Sequence, residues 1–536
     1  MSKEYERQSV FNRRVAMVAA AQLALFGALG ARLGYLQLVK GDHYAALAEQ
    51  NRIDTRLVVP PRGEITDRFG VPLAINIQNF QVYLTREQAK KPEVILARLV
   101  DYIPLTLEER EEALKIMKKT PSFIPILVKE NISWEEMAKL ELHLPELPGT
   151  SVEEGLSRYY PFGEATAHVI GYVSRPSEKE LTDDPIMLQK GFRIGKTGIE
   201  QQFDMPLRGL SGAVDHEVNV KGRSVRALDV KKSQEGERLK LTLDAELQMA
   251  CQERLAREQS ASAVVMDVHN GAVYALCSHP AYDPNSFSKG IPSQLWRELM
   301  ADERAPLTNK VIAGQYPPGS TFKMVTALAA LEAGVATEDT HVFCRGHYML
   351  GNTRFHCWKK TGHGSMNVVS ALEQSCDTYF YEISRRLGID KIAAMARRLG
   401  LDEKTGIELP HEMKGLMPDQ AWKKRVRQEQ WHSGETLNAS IGQGAVLTTP
   451  LQLAVMTARL VNGGRAVIPT LIEEESAVDK QTMPFVDLGL NKEHVALMIE
   501  GMNAVCNEKM GKIIPSAGKQ ARRRCAELRP RCARRA

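Results

Sequence analysis

Val15 to Ala31 is an apolar run broken only by Gln22, entered through Arg13 and Arg14 and closed by Arg32. Carried on through Leu33, Tyr35, Leu36 and Val39, it reaches roughly the 20 residues that a bilayer core requires, provided Arg32 snorkels to the interface. No other feature constrains the fold as much, because whatever follows must fold on the far side of a membrane. Lys3, Arg7, Arg13 and Arg14 hold the N-terminus inside the cell, so everything after residue 40 is expected outside. Two readings of the segment stand. It is an uncleaved anchor over residues 15–39 behind a cytoplasmic tail of residues 1–14, or a signal peptide cut near Leu29-Gly30-Ala31. Both export the chain.

What is exported is too long for one core, since 536 residues predict two or three domains. A hydrophobic content of 43% with 25% charged residues excludes a disordered chain. The formal net charge of +5 does not mark a nucleic-acid binder: seven Arg against one Glu in residues 520–536 supply more than all of it. We therefore expect no nucleic-acid partner.

Asn51–Val58 reads as a strand that leads into Pro60-Pro61-Arg62-Gly63-Glu64-Ile65-Thr66-Asp67-Arg68-Phe69-Gly70, a short strand between two turns. Leu107–Lys119 and Ser133–Leu144 carry helical periodicity, and residues 146–235 look β-rich and turn-rich. Polar Ser233–Gly236 marks a boundary, so residues 40–235 form one domain and residues 236–519 another, ahead of a basic tail at 520–536. The second domain opens at Leu241-Thr242-Leu243-Asp244, with a helix over about Ala245–Glu258. Strands Ser262–Val268 and Ala272–Ser278 then flank the turn His269-Asn270-Gly271. A hairpin followed mostly by helices predicts an α+β fold.

Tyr316-Pro317-Pro318-Gly319-Ser320-Thr321-Phe322-Lys323 carries the chemistry. Pro-Pro-Gly punctuates and an apolar helical run, Phe322–Leu331, follows, so Ser320 is placed at a helix start. Residues three apart share a helix face, which brings the Lys323 amine towards the Ser320 hydroxyl. A serine hydroxyl needs a base to become a nucleophile, and a lysine can serve when its surroundings favour the neutral amine. In isolation the motif reads more readily as a capping serine followed by a surface lysine. Its context is Ser375-Cys376-Asp377, then Ser440-Ile441-Gly442-Gln443-Gly444 ahead of Thr449-Pro450-Leu451-Gln452.

Together these motifs resemble those of the class B penicillin-binding proteins, and the run Ser375–Tyr381 with Asp377 resembles their rod-elongation branch. The likeness extends to an elongated β-rich pedestal. Arg62–Arg68, Arg158-Tyr159-Tyr160-Pro161 through Val173, and Gly195-Lys196-Thr197-Gly198-Ile199-Glu200 resemble its three motifs, and Ala281–Phe287 resembles the stretch before the nucleophile. The resemblance implies a bacterial inner-membrane, single-pass protein with its bulk in the periplasm. It also implies a peptidoglycan D,D-transpeptidase or carboxypeptidase active in cell-wall elongation. Ser320 would be acylated by a D-Ala-D-Ala stem peptide, or by a β-lactam. Lys323, Ser375 and Asp377 would move the proton and bind substrate, and Gly442, Gln443, Gly444 and Lys519 would line the substrate groove. Expected partners are stem peptides, β-lactams, the membrane, a SEDS-family glycosyltransferase and the elongation complex.

The family's downstream Lys-Thr-Gly strand is the departure. Lys196-Thr197-Gly198 precedes the nucleophile and belongs to the pedestal. After Gly444 nothing fits until Ala517-Gly518-Lys519, where relatives continue Thr-Gly-Thr-Ala-Gln-Val but this chain reads Gln520-Ala521-Arg522-Arg523-Arg524-Cys525. The codons ACA-GGC-ACG-GCG-CAG-GTG, shorn of their first base, become CAG-GCA-CGG-CGC-AGG-TG, which encodes the observed residues when C or T follows. A lost reading frame after Lys519 is expected, leaving the transpeptidase domain incomplete, the tail disordered and the chain inactive. A genuine basic extension is the other reading. With the groove strand gone, a non-catalytic scaffold for the glycosyltransferase remains the alternative function.

Cys344, Cys357, His363 and Cys376 fall close together, and three thiolates with one imidazole suit a closed tetrahedral zinc site. Some members of the resembled branch bind zinc at these four places, with Asp where this chain has Cys344 and Cys357. Sulfur for oxygen should strengthen zinc binding. A Cys344–Cys357 disulfide is the competing expectation. Cys251, Cys277, Cys506, Cys525 and Cys532 are scattered, and His341, His347 and His356 are expected at the surface.

Overall fold

A computed structural model describes residues 2–40, 53–189, 191–218, 224–288, 290–473 and 485–507. Among them one helical stretch, Met17–Leu38, is long and apolar enough to cross a membrane, and none of it is buried in protein. Its Leu23 and Phe26 face outward, as side chains in contact with lipid must. A single N-terminal span of this kind matches a single-pass inner-membrane topology.

The first exported unit is built on the long strand Pro72–Leu84. It pairs antiparallel with Thr150–Tyr159, from Ile75 opposite Tyr159 to Leu84 opposite Thr150, and with Ile126–Ile132. Helices Leu107–Lys119 and Trp134–His143 begin at capping boxes, Thr106 with Glu109 and Ser133 with Glu136, each closing two otherwise unpaired backbone donors. Their apolar faces bury Met117 and Leu140 against Val82, Leu84, Leu96 and Leu99. A separate three-stranded sheet joins Ile53–Val58, Gly212–Val218 and Ser224–Lys231.

Three segments that are distant in sequence converge in this unit. Glu200, fully buried, accepts from Arg62 Nε at 2.5 Å and from Arg158 Nε at 2.7 Å. Burial alone would raise the Glu200 carboxyl, but Arg158 and Arg62 outweigh it and hold the group below the usual range. Arg62 also reaches Asp204 at 2.8 Å. The three pedestal motifs are thus one ion-paired core.

Packing continues across Ser233–Gly236. Gly236 N–H donates to the Pro61 carbonyl at 3.0 Å, and Leu239–Lys240 runs parallel to Ile65–Thr66. One core holds Ile65, Leu73 and Tyr160 together with Leu243, Leu276, Leu451 and Leu471. Beyond it the fold is α+β, as expected. Strands Ala261–Met266 and Val273–His279 pair antiparallel with a bulge after Val265, and helix Ala245–Leu255 lies on them. That helix ends three residues earlier than its pattern suggested, where Arg257, Glu258, Gln259 and Ser260 offer no apolar face to bury. Helix Lys323–Glu332 is almost wholly buried, and Asp377–Leu387, Ile389–Arg398 and Lys492–Asn507 pack round it.

Candidate active site

Gly319, with φ of +59°, turns the chain into a short 3-10 turn, Gly319–Phe322, that feeds the buried helix. Ser320 is left exposed at the rim while Lys323, one turn on, is only 1% exposed. The spacing predicted that these two groups approach each other, and the structure places Ser375 Oγ between them. It donates to Ser320 Oγ at 2.8 Å and accepts from Lys323 Nζ at 2.9 Å. Lys323 also donates to the Ser375 carbonyl at 2.9 Å and to Asp377 Oδ1 at 2.6 Å. As an ammonium it supplies all three contacts; to receive a proton from Ser320 through Ser375 it must be the neutral amine.

The Ser375–Asp377 loop is held in a demanding shape. Ser375 is 6% exposed and sits at φ of +52°, a region that costs a residue with a side chain energy unless its surroundings fix it. The fixing group is Trp358, which sequence reasoning missed. Its indole donates to the Gln374 and Ser375 carbonyls at 3.0 Å, and its backbone N–H donates to Asp377 Oδ2 at 3.0 Å. A tryptophan following Cys357 carried no local signal of this role. Asp377 opens helix Asp377–Leu387, where the positive end of the helix dipole suits a carboxylate.

Gly442 is buried directly under the nucleophile turn, and its carbonyl accepts from Gly319 N–H at 3.0 Å. Tyr316 and Thr448 exchange two backbone hydrogen bonds of 2.9 Å, which clamps both segments. Gln443 and Gly444 are exposed beside them. Lys196-Thr197-Gly198 lies elsewhere: Lys196 pairs with Glu180, and a Cβ on Gly171 would sit 1.9 Å from the Thr197 carbonyl oxygen. Lys519 and the 520–536 tail lie outside the described residues.

Next to the loop, the ligand atoms of Cys344, Cys357, His363 and Cys376 all lie within 4.8 Å of one another. Bonds of about 2.3 Å to a tetrahedral zinc ion would set its sulfur ligands roughly 3.8 Å apart, so the residues fit the group. His363 Nδ1 faces the Cys344 and Cys357 sulfurs at 3.5 Å each. Its buried Nε2 has no hydrogen-bond partner among the described residues. A hydrogen bond from the Cys376 thiol, helped by the backbone N–H groups of Thr378, Lys359 and Asp377, outweighs burial and pushes the Cys357 thiol below its usual value. That favours the thiolate, the form that ligates a metal. The Cys344 and Cys357 sulfurs are not bonded to each other in the structure; both face His363 instead. His341 is exposed, and His347 and His356 pair across a hairpin; none of the three joins the cluster. The cluster and the nucleophile share a loop, because Cys376 lies between Ser375 and Asp377, and Cys357 precedes Trp358.

The penicillin-binding protein dimerisation domain family matches residues 57–241, and the penicillin binding protein transpeptidase domain family matches residues 261–520. The peptidoglycan D,D-transpeptidase MrdA of Escherichia coli is 35% identical over 523 residues, 95% of this chain and 82% of that protein. The MrdA of Haemophilus influenzae is 33% identical over 92% of this chain and 77% of its own length. Among solved structures, the PBP2–MreC complex from Helicobacter pylori superposes with a TM-score of 0.75 at 32% identity, covering 86% of each chain. Pseudomonas aeruginosa PBP2 in complex with WCK 5153 gives 0.64 at 31% identity, over 85% of this chain and 82% of that one.

Proposed function

The chain belongs to the penicillin-binding protein D,D-transpeptidases of the MrdA (PBP2) type, and from that premise we propose that Ser320 is the nucleophile acylated by the D-Ala-D-Ala end of a peptidoglycan stem peptide. The observation that carries this is the hydrogen-bonded line from Ser320 through Ser375 to Lys323, closed by Asp377. Ser320 Oγ attacks the carbonyl, its proton passes to Ser375 Oγ, and the Ser375 proton passes to the neutral Lys323 amine. The ammonium so formed is steadied by Asp377. It returns the proton through Ser375 to the leaving D-Ala amine. An amine of a neighbouring stem peptide then resolves the acyl-enzyme and forms the crosslink. A β-lactam would acylate the same oxygen. Backbone N–H of Ser320 would supply half of the oxyanion site, and the family's downstream Lys-Thr-Gly strand the other half.

That strand is where this chain departs from its family, since Gln520-Ala521 stands where the pattern needs Thr-Gly. Without Thr-Gly at that place the chain as written is expected to be inactive, which leaves its anchor and pedestal to bind partners. The Helicobacter pylori relative was solved with MreC, and an elongation scaffold of that kind, together with a SEDS-family glycosyltransferase, fits the pedestal here. Labelling with a fluorescent penicillin tests the whole reading. The chain as written should stay unlabelled, the chain with its frame restored after Lys519 should label, and Ser320→Ala in the restored chain should abolish labelling. Labelling that survives Ser320→Ala would refute the assignment.

The four-residue cluster is proposed to hold zinc. Bound there, the ion would serve as a closed structural crosslink, joining the 344–363 segment to the loop that carries Ser375 and Asp377.

A further inference from the structure

We propose that Cys251 and Cys277 form a disulfide that fastens helix Ala245–Leu255 to strand Val273–His279. The two residues are far apart in the sequence, and nothing in their spacing pairs them. The structure does so through Gln248. Its side-chain amide donates to the Leu276 carbonyl at 2.8 Å and accepts from Leu276 N–H at 2.8 Å, which presses the helix onto the strand. One turn on, Gln252 reaches the Ser278 carbonyl at 3.5 Å. Cys251 lies between the two glutamines on the helix, and Cys277 lies between their two partners on the strand. The Cys277 thiol points at the helix and donates to the Gln248 carbonyl at 3.4 Å, and Cys251 follows one turn on, on the same helix face.

The chemistry around the pair separates it from the zinc cluster. Only two sulfurs meet here, and the one group of metal-ligating side chains found among the described residues is the 344–376 cluster. Two thiols with no further ligand do not close a tetrahedral site. In an exported protein the stable product of two neighbouring thiols is a disulfide. The two ends also differ in the way the reaction needs. Cys277 is buried, 1% exposed, while Cys251 is only partly covered and can be reached from outside. Cys277 beside it draws the Cys251 thiol below its usual value, which favours Cys251 as the thiolate that reacts first.

The step balances with a protein disulfide of the thiol-oxidoreductase class as oxidant. Cys251 Sγ attacks one sulfur of that disulfide, which breaks the oxidant's S–S bond and forms a mixed disulfide. Cys277 loses its proton and attacks Cys251 Sγ, so the Cys251–Cys277 bond forms and the oxidant leaves as a dithiol. Two electrons pass from the pair to the oxidant.

The test uses the full chain purified from membranes in detergent, denatured with N-ethylmaleimide and a chelator so that every free thiol, metal-bound or not, is labelled. Tryptic digestion without reductant should give peptide 241–254 joined to peptide 258–289, unlabelled and lighter by two hydrogens than the two separate thiol peptides. Reductant should release both. In Cys251→Ser, peptide 258–289 should carry the maleimide. Wild-type protein in which both peptides carry maleimide, or in which either cysteine is joined to Cys506 or another partner, overturns the proposal.

Discussion

Replacing Gly442 by Ala would set a Cβ 2.3 Å from the Gly319 carbonyl oxygen and 2.7 Å from the Gly319 nitrogen. Neither neighbour is the loose end of a side chain. Gly319 N–H is bonded to the Gly442 carbonyl, and both flanks are clamped by Tyr316 and Thr448, so relief requires the nucleophile turn itself to move. The left-handed backbone at φ of +71° adds its own penalty for any residue with a Cβ. That penalty is roughly 1–2 kcal/mol, and forcing an extra carbon into a packed site adds about 1–3 kcal/mol. The total is about 2–5 kcal/mol, a fall of roughly 4–20 °C in thermal midpoint for a unit of this size. Gly444→Ala separates the two costs, because Gly444 has φ of +75° but nothing nearer its Cβ than Asn438 at 3.6 Å. Thermal unfolding followed by tryptophan fluorescence should show Gly442→Ala losing at least ~1 kcal/mol more than Gly444→Ala. In the frame-restored chain it should also slow penicillin acylation. If the two variants unfold at the same temperature, the Ser440–Gly444 motif does not brace the nucleophile and the reasoning fails.

Ser375→Ala in the frame-restored chain removes the hydroxyl between Ser320 and Lys323, and its penicillin acylation rate should drop about 10²–10⁴-fold; an unchanged rate would dismiss the relay. Cys357→Ala should lower zinc in the purified chain from about one ion to near none, while Cys344→Asp keeps a ligand and retains most of it. Elemental analysis decides, and undiminished zinc in Cys357→Ala removes Cys357 from the set. Glu200→Gln leaves Arg62 and Arg158 buried without their carboxylate and should cost the pedestal about 3–5 kcal/mol, read by urea unfolding. Because the folded Glu200 carboxyl lies below its ordinary 4.5, its contribution is whole above that pH and disappears as pH falls through the folded value. Wild-type pedestal stability should therefore decline more steeply than that of Glu200→Gln in acid, and parallel curves would contradict the ion-paired core.

Much of the local structure was legible in the chain. The apolar run and its arginines gave the anchor, helical periodicity gave Leu107–Lys119 and Ser133–Leu144, and an alternating pattern around His269-Asn270-Gly271 gave a hairpin. These are short-range properties: hydropathy, capping and turn preference are settled among residues within one or two turns of each other. The candidate site was also legible, because Ser320, Lys323, Ser375, Asp377 and the Cys3His set stand out by residue type and order, and the structure brings each group together.

Relative position was not. Which hydroxyl stands between Ser320 and Lys323, how Trp358 holds the Ser375 backbone, why Arg62, Arg158 and Glu200 occur in three separate motifs, and that Cys277 faces the helix carrying Cys251 all depend on elements meeting across many intervening residues. A sequence records what each segment prefers by itself. Distances between segments follow from how helices and strands bury their apolar faces together, and only the packed tertiary structure fixes them.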